Sequence, residues 1–186
     1  MENYQPKIRF TKIRDVKSPS FACANDAGSD FYMPNKTDEY MACLITRNKT
    51  IKNKALPSFV IAIEKDGKEK IQIIVPPHSQ VLIPSGIKVD ILDKNTYLDV
   101  NNKSGVATKK HLIVGAHVVD AGYQGEVEFN LYNISDETVT INSGEKIVQI
   151  IHKPKINTVW EEISNEEYDQ IPSSDRGGGG FGSTGK

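Results

Sequence analysis

The stretch GEVEFNLYN, residues 125–133, constrains the fold more than any other part of the chain. Val127, Phe129 and Leu131 fall on one face of an extended strand, and Glu126, Glu128 and Asn130 fall on the other. A period of two over this length fits a half-buried strand and no helix. The pattern returns in PKIRFTKI, TYLDV, HLIVGAHVV, ETVTIN and EKIVQIIHKP, each bounded by Gly, Asn, Asp or Ser. QVLIPSGIKVDIL reads as two short runs broken at Pro84-Ser85-Gly86. Many short strands with regular turn signals predict a barrel or sandwich. No long segment has a 3.6-residue period. Only SNEEYDQI, with Ser164 and Glu167 in capping-box spacing, is expected to form a short helix.

The 186 residues are enough for one domain with an insertion. A formal net charge of −1 supplies no basic field for nucleic acid, and no apolar run is long enough to cross a bilayer. MENYQPKIRF lacks the pattern of an export signal, so a cytoplasmic location is expected, or the host cytoplasm for a viral or phage source. Cys23 and Cys43 are expected to be free thiols. The four histidines are scattered, and no protein-ligated zinc site is predicted. Residues 1–154 read as the β-barrel body. From Asn35 to about Lys70 the rhythm breaks, then resumes in two strand-like runs around Asp66-Gly67, a hairpin signal. This segment reads as an inserted arm, either a contact for a protein partner or, preferably, a surface elaboration without chemistry. Residues 155–175 form an acidic, polar connector.

The chain closes with RGGGGFGSTGK, residues 176–186. Gly180 to Lys186 matches G-x-x-x-x-G-K, but SSDRGGGG before it does not read as a buried strand, and no hydroxyl residue follows Lys186. A P-loop is rejected. A passive linker has no need for Arg176 or Phe181. Arginine grips phosphate through its planar fork, and an aromatic ring stacks on a base. From Pro172 onward the segment spans up to about 50 Å when extended, enough to lie across a neighbouring subunit.

Four stretches accompany this tail: DAGSDFY (26–32), NNKSGVATK (101–109), VGAHVVDAGYQGEVEFNLYN (114–133) and GEKIVQIIHKP (144–154). In this order the five segments closely resemble the motifs of the trimeric dUTP pyrophosphatases, the dUTPases. The resemblance implies an all-β, distorted jelly-roll barrel that forms a homotrimer with shared sites. It also implies hydrolysis of dUTP to dUMP and pyrophosphate with Mg²⁺. By the same resemblance Asp120 positions or activates the attacking water, and Gln149 helps hold that water or a phosphate. Lys103, Ser104 and Gly105 hold phosphate oxygens, with Lys103 standing where the family usually has Arg. A lysine brings the charge without the bidentate fork. Tyr123 packs on the deoxyribose and leaves no room for a 2′-hydroxyl. The hairpin around it reads uracil through backbone groups; His117, Val119 and Glu128 belong to this region, His117 replacing a frequent Gly. Asp30 lies close to metal-bound waters or to the phosphate-loop base, and Mg²⁺ is held largely by substrate phosphates. Arg176 grips the γ-phosphate end and Phe181 stacks over uracil. Gly182, Ser183 and Thr184 close over the phosphates as a flexible lid.

Two rivals carry different chemistry. A dCTP deaminase or bifunctional relative shares the fold and uses a Glu as general acid/base, for which Glu126 or Glu128 are the candidates. A regulatory binding module would use the arm to capture a protein partner.

Overall fold

The computed structural model describes residues 6–49, 59–65, 67–174 and 177–178. Residues 1–155 form one compact unit and residues 156–186 a second.

The first unit opens with β1 (Ile8–Lys12), β2 (Ser29–Tyr32), α1 (Asp38–Lys49), β3 (Phe59–Lys65), β4 (Lys68–Val75) and β5 (Gln80–Ile91). It continues with β6 (Thr96–Asn102), α2 (Ser104–Lys110), β7 (Leu112–Val114), β8 (Val118–Asp120), β9 (Glu126–Asn133), β10 (Val139–Asn142) and β11 (Lys146–Pro154). Three antiparallel sheets result, in the orders β1-β5-β9-β7, β10-β4-β3 and β2-β11-β6-β8. The expected face of β9 is the buried one: Val127, Phe129 and Leu131 are each no more than 1% exposed. Phe129 meets Phe31 of β2 edge-to-face at 5.7 Å, joining two sheets through one aromatic pair. Ile71 and Ile73 of β4, Ile83 of β5, Ile141 of β10 and Val148 of β11 complete a single apolar interior. Among the described residues no helix is long and apolar enough to cross a membrane. Cys23 and Cys43 are unpaired thiols, as expected.

The arm departs from expectation in two ways. The hairpin is present, with Lys65 opposite Lys68 and Gly67 at a positive φ of 68°. Before it, however, stands a helix of 12 residues where none was predicted. Thr37 caps α1 by accepting the Tyr40 amide at 3.1 Å, and Asp38 and Glu39 at the start with Arg47 and Lys49 at the end oppose the helix dipole favourably. Nor is the arm a surface elaboration. Tyr40 and Leu44, one turn apart, are fully buried, and the Tyr40 hydroxyl donates to the Pro84 carbonyl at 2.9 Å. β1 pairs only with residues 87–91 of β5, so the edge of β5 from residue 80 to 84 is left for α1. Asn48 acts there as a substitute strand residue. Its amide donates to the Leu82 carbonyl at 3.0 Å and its oxygen accepts the Leu82 N–H at 2.9 Å. The helix covers a sheet edge that would otherwise carry unpaired backbone groups.

Pro84-Ser85-Gly86 also behaves differently from a break. β5 runs through it as one strand of 12 residues, and a bulge between Pro84 and Lys88 shifts its register against β9. Gly86, at φ 75°, takes the left-handed turn of the bulge, and Pro84, which has no N–H to donate, sits past the end of β1.

A close approach at Gly115 tests the packing between β7 and β9. Its N–H donates to the Asn130 carbonyl at 2.9 Å, and a Cβ placed there would lie 2.2 Å from the Tyr132 ring and 2.3 Å from Asn130 Oδ1. Gly115→Ala is therefore expected to cost about 1–3 kcal/mol through overpacking, measured as a lowered urea midpoint with unchanged slope.

The second unit contains α3 (Asn165–Asp169), where the predicted capping box is complete. Ser164 Oγ accepts the Glu167 amide at 3.1 Å and Glu167 accepts the Ser164 amide at 2.8 Å. Ile156, Val159 and Trp160 in this unit are at least 90% exposed.

Candidate functional site

Three of the sequence segments converge on one sheet. Gln149 of β11 lies opposite Asp30 of β2 on one side and Asn101 of β6 on the other. Its amide donates to the Asn102 carbonyl at 2.9 Å. Gly28 leaves the room: a Cβ there would stand 3.1 Å from Gln149 Oε1 and 3.2 Å from its Cβ. Gln149 is thus a fixed side chain rather than a free polar residue on a strand.

Asp30 is buried, with a side chain 4% exposed between two ammonium groups. Lys103 Nζ donates to Oδ1 at 2.6 Å, while Lys146 Nζ stands 2.6 Å from Oδ2 in a charge contact without hydrogen-bond alignment. Burial alone would raise the Asp30 pKa; the two lysines outweigh it and hold the carboxyl below the usual carboxylate range. Asp30 thus contacts Lys103, the base expected to bind phosphate. Both of its carboxylate oxygens face lysine ammonium groups. Among the described residues no three His, Cys, Asp or Glu groups gather as a metal site.

Lys103, Ser104 and Gly105, the expected phosphate-binding residues, lie at the start of a helix. Residues 104–110 form α2, entered from an extended Lys103. The first helical bonds run from the Val106 and Ala107 amides to the Lys103 carbonyl, both at 2.9 Å. Ser104 and Gly105 lie in the first turn ahead of those donors, where backbone N–H groups have no intrahelical acceptor. The turn thus presents amides, a hydroxyl and the Lys103 ammonium together.

The remaining segment, 114–133, starts beside β6, where the Val114 amide donates to Asn102 Oδ1 at 2.7 Å, and then runs away from Lys103. Val119 and Asp120 belong to β8 at the far edge of the same sheet, with Asp120 opposite Tyr97. Lys103 follows the other end of β6, six positions further along, or about 20 Å at roughly 3.3 Å per residue. The expected hairpin is absent: β8 pairs with β6, whereas β9 pairs with β5 and β7, so the 121–125 turn carries the chain between sheets. The Tyr123 amide donates to the Asp120 carbonyl at 3.0 Å, and the Tyr123 hydroxyl donates to the Glu126 carbonyl at 2.8 Å. The Tyr123 ring folds over Gly125, where a Cβ would stand 2.4 Å from its hydroxyl oxygen. Tyr123 and Asp120 are exposed, Tyr123 by 44%.

His117 is tied at two points to the backbone of Val100 on β6. Its carbonyl accepts the Val100 N–H at 2.7 Å, and Nδ1 meets the Val100 carbonyl at 2.6 Å, which requires the proton on Nδ1. The Glu128 side chain turns to α1. Its carboxylate pairs with Arg47 of α1 at 3.0 Å, and its backbone lies in the ladder opposite Pro84. Burial pushes its pKa up against the opposing pull of Arg47. Arg176, Phe181, Gly182, Ser183 and Thr184 lie outside the described residues.

The dUTPase family model matches residues 68–185, more than half of the chain. The chain belongs to the dUTPase family. The match begins at the first residue of β4, so Asp30, α1 and β3 precede it. A deoxyuridine 5′-triphosphate nucleotidohydrolase of Oryza sativa subsp. japonica is 32% identical over 166 residues, covering 88% of this chain and 94% of that one. One from Clostridium tetani is 30% identical over 188 residues and covers 100% of both. A Staphylococcus bacteriophage 80alpha dUTPase solved with dUpNHpp superposes with a TM-score of 0.68 at 17% identity, covering 97% of this chain and 99% of its own. EIAV dUTPase gives 0.56 at 18%, with 86% and 98% covered. These likenesses carry the fold, the distorted jelly roll expected from the sequence.

Sequence reasoning missed Lys146, and Arg14 as the partner of Glu126. Lys146 stands beside Gly144-Glu145 and reads as an ordinary turn cation; only the β2–β11 register brings it to Asp30.

Proposed function

We propose that the protein hydrolyses dUTP to dUMP and pyrophosphate, as a homotrimer whose sites are completed across subunits. The observation that carries this reading is one unbroken dUTPase match over 68–185, containing every expected site residue except Asp30, which itself holds Lys103 in place. Water adds to the α-phosphorus as the bond to the bridging oxygen of the leaving pyrophosphate breaks. Asp120 orients that water and takes its proton. Lys103 and the α2 first turn bind phosphate oxygens. Tyr123 packs on the deoxyribose, and backbone groups around His117 and Val119 read uracil. Cytosine presents the reversed donor–acceptor pattern and leaves buried groups unpaired, at about 1–3 kcal/mol each. The 176–184 segment closes over the nucleotide, Arg176 on the terminal phosphate and Phe181 on the base.

The separation of Asp120 and Tyr123 from Lys103 along β6 supports the shared site: one chain's water-activating group is too far from its own phosphate-binding turn to serve it. Asp30 being committed to two lysines fits an Mg²⁺ ion carried in on triphosphate oxygens rather than one resident on the protein. When bound, that ion neutralises phosphate charge. A deaminase is not supported, because Arg14 forks onto Glu126 and Arg47 pairs with Glu128, leaving neither carboxylate for general acid/base work. A soluble, cytoplasmic enzyme fits this activity.

The test is pyrophosphate release from dUTP, dCTP, dTTP and UTP in parallel, with the base's ultraviolet spectrum followed alongside. Release from dUTP alone is expected; a spectral change with dCTP would reassign the chain to a deaminase, and no turnover would leave a binding module. Truncation before Arg176 is expected to lower kcat/KM for dUTP by about 10- to 100-fold, read in the same assay, with the fold intact by circular dichroism.

A further inference from the structure

We infer that Arg14 and Glu126 are positioning residues for Tyr123, and that this buried ion pair sets how strictly the enzyme excludes ribonucleotides. The inference rests on the reading of Tyr123 as the residue that packs on the sugar.

Glu126 is held at both ends. Its backbone carbonyl accepts the Tyr123 hydroxyl at 2.8 Å, the bond that keeps the ring folded over Gly125. Its carboxylate is bound three times: by Arg14 Nε at 2.8 Å, by Arg14 Nη2 at 2.8 Å, and by the Gly86 amide of the β5 bulge at 2.6 Å. Both side chains are almost buried, at 11% and 10% exposed. Arg14 is fixed in turn by α1. Its guanidinium lies 5.1 Å from the centre of the Tyr40 ring and donates to Cys43 Sγ at 3.3 Å. An unbroken series of contacts thus runs from the arm, through Arg14 and Glu126, to Tyr123.

The direction of the effect follows from charge. Without the arginine fork, a nearly buried carboxylate keeps one amide partner and stands near Glu128 on the same face of β9. It must swing toward water. Glu126 is the first residue of β9, paired only through Lys88 beyond the bulge, so its backbone is the part of the strand least constrained by its neighbours. When its carbonyl moves, the Tyr123 hydroxyl loses its acceptor, and the ring no longer occupies the volume a 2′-hydroxyl would need.

The experiment compares Arg14→Met and Glu126→Gln with wild type in the full chain. Arg9→Met serves as a control, because it removes an exposed arginine–aspartate pair between β1 and β5. The ratio of kcat/KM for dUTP over UTP is expected to fall by about 10- to 100-fold in Arg14→Met, through a raised KM for dUTP and a gained rate with UTP. Arg14→Lys restores part of it and Arg9→Met leaves it unchanged. A merely structural pair would lower the melting temperature and leave the ratio alone, and that result overturns the inference. Should Arg14→Met fail to fold, Glu126→Gln, which keeps the volume and loses the charge, carries the same test. Fluorine NMR of fluorotyrosine-labelled protein, with the Tyr123 signal assigned by Tyr123→Phe, reads the ring without turnover. A Tyr123 signal unmoved in both variants overturns the inference even if dUTP proves not to be the substrate, whereas a moved signal with no dUTP turnover in wild type sinks only the functional reading.

Discussion

Asp120→Asn is expected to lower dUTP turnover by about 10³-fold or more, while dUTP still binds. The amide keeps the size and the turn of the carboxylate, and the Tyr123 amide bonds to the backbone carbonyl of Asp120, not to its side chain. What the substitution removes is the negative charge and the site that accepts a proton from water. Equilibrium binding of a non-hydrolysable dUTP analogue and pyrophosphate release by the same preparation separate the two roles. Loss of binding together with turnover would make Asp120 a structural residue. The geometry adds a second arm. Asp120 and Lys103 lie about 20 Å apart along β6, and in the proposed trimer the site would draw them from different subunits. Asp120→Asn and Lys103→Ala subunits, each inactive alone, are expected to regain activity when unfolded and refolded together. Absence of any recovery in mixed trimers would refute the shared site.

Asp30→Asn is expected to destabilise the protein by about 2–4 kcal/mol, the lower part of the range for breaking a buried pair because both lysines reach solvent. The carboxylate is the buried member, and its removal leaves two ammonium groups facing each other across a neutral amide. The pH dependence has a definite sign. The folded-state pKa of Asp30 is held below its ordinary value, so its stabilisation is complete above the unfolded-state pKa, about 3.9. It is lost as pH falls through the lower, folded-state value. Acid unfolding curves of wild type and Asp30→Asn should therefore converge as the pH drops below that range and separate above it. Parallel curves at every pH would mean that the ion contacts contribute nothing. KM for dUTP should rise as well, since Lys103 is a point charge whose place is set by this one carboxylate.

Much of the body was legible because its cause is local. Val127, Phe129 and Leu131 alternate with polar neighbours, and a strand with one dry face is the response to that order. Ser164 and Glu167 sit three residues apart, and the capping box needs nothing else. The arm helix was not legible. Tyr40, Met41, Ala42, Cys43, Leu44 and Ile45 form an apolar block with no clear period, and only Tyr40 and Leu44 are buried. The helix is selected by the open edge of β5, which lies in a different part of the sequence. Pro84-Ser85-Gly86 misled for a related reason. Proline and glycine signal a stop, and nothing nearby shows that β9 continues on the far side of the bulge. Asp30, Lys103 and Gln149 could be nominated one by one from resemblance; their contact is a property of sheet register, and so are Lys146 and the Arg14–Glu126 pair.

The seating of the arm also sets a timetable for the nascent chain. Tyr40 lies 44 residues ahead of Pro84, and Arg14 lies 112 residues ahead of Glu126. During synthesis the N-terminal partner of each contact leaves the ribosome first and has nothing to bind. At roughly 5–20 residues per second the guanidinium of Arg14 waits about 6–22 seconds for its carboxylate. Over those 44 residues the apolar face of α1 has no strand edge to cover, and of the two contacts the later to form is the one that places Tyr123.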